Sequence, residues 1–320
     1  MPLVVGIDEA GYGPLLGPLV VGASVWQVEP RAVNADFWQR LDDVVCRKPG
    51  RREWRLAIDD SKRIFHQKRD LAALERPVLA CASAAGLATE SLAAFINALG
   101  GLCPGQADPP PWYRDLRRPL PLDPERSAFS AIAERLQRAM AAAGVRCTAL
   151  LAEVLPESVF NERVAQTRNK AAVLLELVLR LISRATAHAG DQDVYVFVDR
   201  LGGRQDYRGL LLTAFPGRHL HVLAASEESS RYRLATQRTD WLVEFCVDAD
   251  QRHLPVALAS MLAKYVREAL MRQFNAFWQI LRPTLAPTAG YYQDAQRFLR
   301  DLKPVLAQAN LPTARFVRQR

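Results

Sequence analysis

A chain of 320 residues, 49% of them apolar, is long enough for one large domain or two modest ones. No uninterrupted apolar stretch approaches the ~18 residues of a membrane span, which excludes a helical membrane protein and predicts a soluble globule. A net charge of +8 and a pI near 9.5 suit a polyanionic partner, because such a field draws in phosphates before any specific contact forms.

Met1-Pro2 carries no basic segment and leads straight into an apolar strand, so no secretory signal is expected. That strand, Leu3–Ile7, ends in the paired carboxylates Asp8-Glu9 and a turn broken by Gly11 and Gly13. Leu19–Trp26 is a second strand and forms an antiparallel hairpin with the first. Asp60-Ser61-Lys62 caps a helix running towards Leu74. Val78–Ala85 and Arg146–Val154 read as strands, separated by a short helix near Ser91–Leu99 and a loop from Pro104 to Pro124. Seven prolines in that loop forbid regular structure and predict a mobile surface segment. Asp123 caps and Pro124 opens a helix to about Gly144, with Phe129, Ile132, Ala133, Leu136 and Met140 on one face.

Asn161 to about Ala187 is predicted as one long helix, with Val164, Ala171, Leu174, Leu175, Val178 and Ile182 as its buried stripe. Val194–Val198 is a β-branched strand that delivers Asp199 at its end, followed by the turn Gly202-Gly203-Arg204. Leu220–Ala225 and Trp241–Val247 are further strands, the second leading into Asp248-Ala249-Asp250. A helix from Pro255 to about Phe277 follows. Cys46, Cys81, Cys103, Cys147 and Cys246 are scattered, with no Cys-x-x-Cys pair and no histidine cluster nearby, which points to reduced thiols and a cytoplasmic protein.

Two strands thus end in acid, and a third runs into Asp248 and Asp250. So many carboxylates share a cleft only if divalent cations neutralise them, since like charges otherwise raise one another's pKa. Oxygen-only ligands select hard ions, Mg²⁺ or Mn²⁺, and two such ions about 4 Å apart can promote phosphodiester hydrolysis. Of the histidines, His253 alone closely follows an acid that could use it in proton transfer. Lys62, Lys264 and Arg204 are either phosphate contacts or ordinary solvated bases. Tyr291 either stacks on a sugar or base or packs as an aromatic.

The stretch Asp8-Glu9-Ala10-Gly11-Tyr12-Gly13-Pro14 resembles the first motif of the ribonuclease HII (type 2 ribonuclease H) family, Asp-Glu-Ala-Gly-Arg-Gly-Pro, at six of seven positions; Tyr12 replaces the arginine. Ala259-Ser260-Met261-Leu262-Ala263-Lys264-Tyr265-Val266-Arg267-Glu268 is similar to the family's Ala-Ser-Ile-x-Ala-Lys-Val-x-Arg-Asp helix. Counting back from it without a gap places the family's preceding aspartate at Asp250, with Asp248 as rival. Asp60-Ser61-Lys62, Asn161 with Thr167, Gly290-Tyr291 and Leu311-Pro312-Thr313 echo further family segments in the expected order. Asp199 matches a family aspartate usually followed by glycine, whereas here Arg200 follows.

The resemblance implies an α/β ribonuclease H-like fold in one domain over residues 1–320: a mixed sheet flanked by helices, a helical and proline-rich insertion at 86–144, and a helical region at 278–320. It implies an endonuclease, without a small-molecule cofactor, that cleaves RNA paired with DNA to 5′-phosphate and 3′-hydroxyl ends; a monomer is favoured, with the oligomeric state left open. Asp8, Glu9, Asp199 and Asp250 would be the catalytic residues and the ligands of two Mg²⁺ or Mn²⁺ ions. Gly11, Tyr12, Gly13, Lys62, Arg204, Lys264 and Tyr291 would contact substrate. A non-catalytic nucleic-acid binder of this fold, or a nuclease of DNA junctions, is the alternative.

Overall fold

The computed structural model describes residues 1–48, 54–66, 70–102, 109–309 and 311–319. In chain order its strands are β1 (Leu3–Ala10), β2 (Leu19–Val28), β3 (Val45–Cys46), β4 (Leu56–Ala57), β5 (Val145–Leu155), β6 (Val194–Asp199), β7 (His219–Ala225), β8 (Ser229–Ala235) and β9 (Asp240–Cys246). Among the described residues, seven of these form one sheet in the order β5-β2-β1-β6-β9-β8-β7, while β3 and β4 pair separately. At its centre β1, β6 and β9 run parallel, and the strands outside them are antiparallel. The sheet is therefore mixed, as expected, and it starts with the predicted hairpin.

The helices are α1 (Phe37–Arg40), α2 (Ser61–His66), α3 (Leu71–Ala84), α4 (Leu92–Leu99), α5 (Ser130–Ala142), α6 (Glu157–Thr167), α7 (Lys170–Thr186), α8 (Arg208–Ala214), α9 (Ala249–Arg252), α10 (Leu254–Leu281) and α11 (Tyr292–Ala309). Strand alternation divides the core between two faces. Val4, Val20 and Trp26 pack with α3, α5 and α10, whereas Val5, Ile7, Val21 and Val25 pack with α6 and α7 on the other side. Close approach of α10 depends on glycine in the hairpin. A Cβ at Gly22 would lie 2.6 Å from the Ala259 carbonyl oxygen, and one at Gly6 would overlap the Pro255 backbone.

Several expectations are corrected. Val78–Ala85 is not a strand: Leu71–Ala84 is helical through Pro77, and Val78 to Ala82 are all buried. Such a run, enclosed between α5 and α10, shows no polar face from which to read its period. Helix α5 begins at Ser130, because Asp123 instead accepts from the Arg126 amide in a turn. The predicted helix from Asn161 to Ala187 is interrupted where Arg168 adopts φ 51° and Asn169 caps a new helix through the Ala171 and Ala172 amides.

The proline-rich segment is not merely superficial. Cys103 and 104–108 lie outside the described residues, but Trp112 and Tyr113 sit in the core, with Trp112 against Phe274, Phe277, Trp278 and Phe316. Cys46, Cys81, Cys147 and Cys246 are buried, and Cys81, Cys147 and Cys246 are free thiols. Among the described residues no helix is long and apolar enough to cross a membrane.

Candidate active site

Register brings the first two acids together. Ile7 pairs with Val198 across parallel β1 and β6, so Asp8 and Asp199 are the next residues of adjacent strands, at their carboxyl ends. In open α/β sheets this end is where ligands gather, because the strands stop there and the loops diverge. Asp8 shares the side-chain parity of Gly6 and faces α10, where Ser260 opposes the rise of its pKa while the Ser260 hydroxyl donates to Ser61 Oγ at 3.0 Å. Its Oδ1 also accepts the Glu9 amide at 2.7 Å. Asp199 Oδ1 accepts the Ala249 amide at 3.1 Å, which ties β6 to the first turn of α9.

Asp250 enters from α9, not from a strand as its sequence position suggested. It is 7% exposed, whereas Asp248 lies on the surface with φ 54° and caps the helix without a side-chain bond. Of the two rivals, Asp250 is the one turned into the cluster. Asp248 acts on Asp199 and Asp250 from the rim.

Electrostatics record how closely these groups crowd. Burial, then Glu9, Asp199 and Asp250, raise the Asp8 pKa well above its ordinary range. Glu9 is pushed up to about 7 by burial and Asp199, with Lys62 opposing. Asp250 is likewise pushed up to about 7 by burial, Asp60 and Asp199, and burial also raises Asp199. Glu9 Oε2 is buried with no hydrogen-bond partner. This donor set fits hard divalent ions: it is all oxygen, mutually repelling, and contains an orphaned carboxylate oxygen. Among the described residues, no three acidic, imidazole or thiolate groups converge on a single point as their side chains lie here.

The expected substrate residues divide between two flanks. Lys62, Lys264 and Tyr291 line one cleft of about 530 Å³ with Phe65, Glu268 and Arg272. Burial works against the Lys62 ammonium, yet Asp60, Asp8, Asp250 and Asp199 hold its pKa above the ordinary value. Lys264 pairs with Glu268 at 2.9 Å, and Tyr291 is 51% exposed. Tyr12 and Arg204 line another cleft with Gly202 and Gly203. Gly11 has φ 90°, and a Cβ there would meet the Pro18 carbonyl at 2.5 Å; Gly13 faces open space. His253 is not brought to the acids. Its ring stacks on Phe197, and the charges acting on it are Glu244 and Arg252.

Sequence reasoning missed the residues that hold the Gly11–Gly13 turn. Arg318 is 3% exposed and donates to the Gly11 and Tyr12 carbonyls, while its own amide bonds Leu15 O at 2.8 Å. Burial and neighbouring Arg267 bring the Arg318 pKa down to about 10. Asn161, expected at a helix start, sits within α6 and fastens the final segment: its Nδ2 donates to Ala314 O and Val317 O, and its Oδ1 accepts the Gln319 amide. Arg267 is fully buried and donates to Leu16 O and Ala289 O. Arg267 lay within a motif already singled out, and Asp60 likewise. Nothing in the sequence links Arg318 to a turn 307 residues earlier.

No family model and no curated protein matches the chain. Solved structures similar to it include RNase HII of Archaeoglobus fulgidus in a complex with PCNA, at 17% identity and TM-score 0.41, covering 99% of this chain and 94% of that one. Ribonuclease H2 from Pyrococcus horikoshii OT3 is 14% identical with TM-score 0.46, over 98% of this chain and 92% of that one. Bst-RNase HIII in complex with Mn²⁺ is 15% identical with TM-score 0.40, over 93% of this chain and 62% of that one.

Proposed function

We propose that the chain is a divalent-metal-dependent ribonuclease H that hydrolyses the RNA strand of RNA/DNA hybrids to 5′-phosphate and 3′-hydroxyl ends. One observation carries this reading: Asp8, Glu9 and Asp199 from the ends of adjacent parallel strands crowd with Asp250 from α9 and raise one another's pKa. Such a cluster opposes folding unless cations share its charge, so a purely structural role does not account for it. The family resemblance of the sequence implies the same acids, Asp8 and Glu9 from the first motif, Asp250 from the helix motif and Asp199 from a separate match, within a single ribonuclease H-like domain with 86–144 as an insertion. Buried free thiols suit a reducing compartment such as the cytoplasm.

Mg²⁺ or Mn²⁺ held by Asp8, Glu9, Asp199 and Asp250 would supply Lewis-acid activation of the phosphodiester and of the attacking water. The remaining residues bind and orient. Lys62 offers an ammonium at the mouth of the acidic cluster, where it can meet a phosphate. Gly13 faces open space, so backbone groups of the turn can approach a ribose 2′-hydroxyl there, while Gly11 lets the turn close against Pro18 and Arg267. Tyr291 presents a ring beside Lys264 for a sugar or base, and Arg204 offers charge on the opposite flank.

The test is a gel assay on RNA/DNA hybrid, double-stranded DNA and double-stranded RNA, with and without Mg²⁺. Cleavage of the hybrid alone, dependent on Mg²⁺, is expected. Binding without cleavage would identify a non-catalytic binder. Asp199→Asn is expected to abolish cleavage while hybrid affinity stays near that of the unmodified protein, and retained turnover would remove the assigned site.

A further inference from the structure

We propose that a basic cleft beside the carboxylate cluster grips the phosphodiester backbone of the duplex flanking the cleavage point. The proposal rests on the nucleic-acid reading above, and it answers a difficulty that reading creates. A catalytic cleft lined by carboxylates repels a polyanion, so attraction must come from elsewhere on the surface.

The cleft, about 800 Å³, is lined among the described residues by six cations, Arg47, Lys48, Arg55, Arg63, Arg76 and Arg126, against two carboxylates, Asp59 and Asp70. Both carboxylates are engaged. Asp59 lies 3.5 Å from Arg47 and 3.9 Å from Arg63, and Asp70 pairs with Arg126. Neutral groups fix Arg76 and Arg47 in place. Arg76 donates to the carbonyls of Trp54, Arg55 and Ala128, and Arg47 lies 3.5 Å over the Trp38 ring centroid. A carbonyl or ring orients a guanidinium without cancelling its charge, so these forks are preorganised for an anion and matched to phosphate.

Arg63 joins this cleft to the candidate active site. Its guanidinium bonds Gln251 Oε1 at 2.9 Å, next to Asp250 in sequence, and lies 3.9 Å from Asp60, whose charge acts on Asp250 and Lys62. A duplex seated with its scissile bond at the acids would thus continue over Arg63 into the cleft. The long apolar walls of Ala72, Ala73 and Pro77 offer no base-edge recognition, which fits gripping of a backbone irrespective of sequence.

The test measures hybrid binding by fluorescence anisotropy across a KCl series at constant Mg²⁺, in the Asp199→Asn background so that turnover does not interfere. Hybrids of about one and about two helical turns (~10 and ~20 base pairs) are compared. For Lys48→Gln/Arg55→Gln/Arg76→Gln, the slope of log affinity against log salt on the longer hybrid is expected to shrink by about 2 to 3, with the shorter hybrid unaffected. An unchanged slope on the longer hybrid would overturn the proposal, as would an equal loss at both lengths, which would place the cations under the reacting segment or on another molecule. Should Arg76→Gln lower the melting temperature, Lys48→Gln/Arg55→Gln carries the test with a shrinkage of about 1 to 2. The expected length-dependent change, found in a protein that cuts no hybrid, would support the cleft while removing the nuclease reading. Normal cleavage with an unchanged slope would do the reverse.

Discussion

Between pH 4.5 and about 7 the Glu9 carboxyl keeps a proton in the folded chain that it has released in the unfolded one. The folded state therefore binds more protons across that window, and stability falls as pH rises through it. For a shift of this size the loss is of order 3 kcal/mol, with Asp250 acting in the same direction. Mg²⁺ bound at the proposed site would reverse the effect by neutralising the ionised acids. Melting curves in EDTA are expected to show a lower Tm at about pH 8 than at about pH 5, and added Mg²⁺ to raise Tm mainly at the higher pH. A metal-independent Tm at about pH 8 would contradict a cation site. The rival aspartates part at the same scale: Asp250→Asn is expected to cost far more activity than Asp248→Asn, because the exposed Asp248 contributes only from the rim. The opposite ranking in kcat would reverse the assignment.

Among the elements, the packing of α10 on the hairpin determines where the acids stand. Gly6→Ala would drive a methyl into the Pro255 backbone, so it is expected to lower stability by roughly 1–3 kcal/mol or more in urea titrations, displacing Asp8 from Ser260. Trp112→Ala is expected to cost about 3–5 kcal/mol, since its ring fills space among Phe274, Trp278 and Phe316. Replacing 105–120 by a Gly/Ser linker, harmless for a surface loop, should for the same reason destabilise the fold. What the sequence made legible was alternation and termination: β1 and β6 are short apolar runs that stop in acid, and those stops lie side by side. It hid what depends on enclosure. The run after Pro77 looked like a strand because Val78 to Ala82 are all buried and show no polar stripe, and Trp112 looked superficial because prolines surround it. Strand β8 escaped notice, as only Ser230, Tyr232 and Leu234 of its seven residues face inward. The αL residue that splits the helix after Thr167 is an arginine, a type that gives no warning of positive φ.

At the scale of the whole molecule, charge of opposite sign is sorted into neighbouring regions: the net +8 includes a basic cleft, and the acids gather at the strand ends beside it. The same long-range organisation joins the two ends of the described chain, since Arg318 braces the turn that follows the first strand. This brace has a consequence in time. During synthesis the sheet, α10 and all four acids emerge before residue 311, while the guanidinium that secures Gly11 and Tyr12 is still to be made. On the proposed reading, a nascent chain that has not yet reached Arg318 would hold the four acids without the brace on the Gly11–Gly13 turn. Arg318→Ala, which leaves Phe316 in the core, is expected to keep native-like circular dichroism yet cut hybrid roughly tenfold more slowly. Full activity in that variant would show that the turn holds its shape unaided.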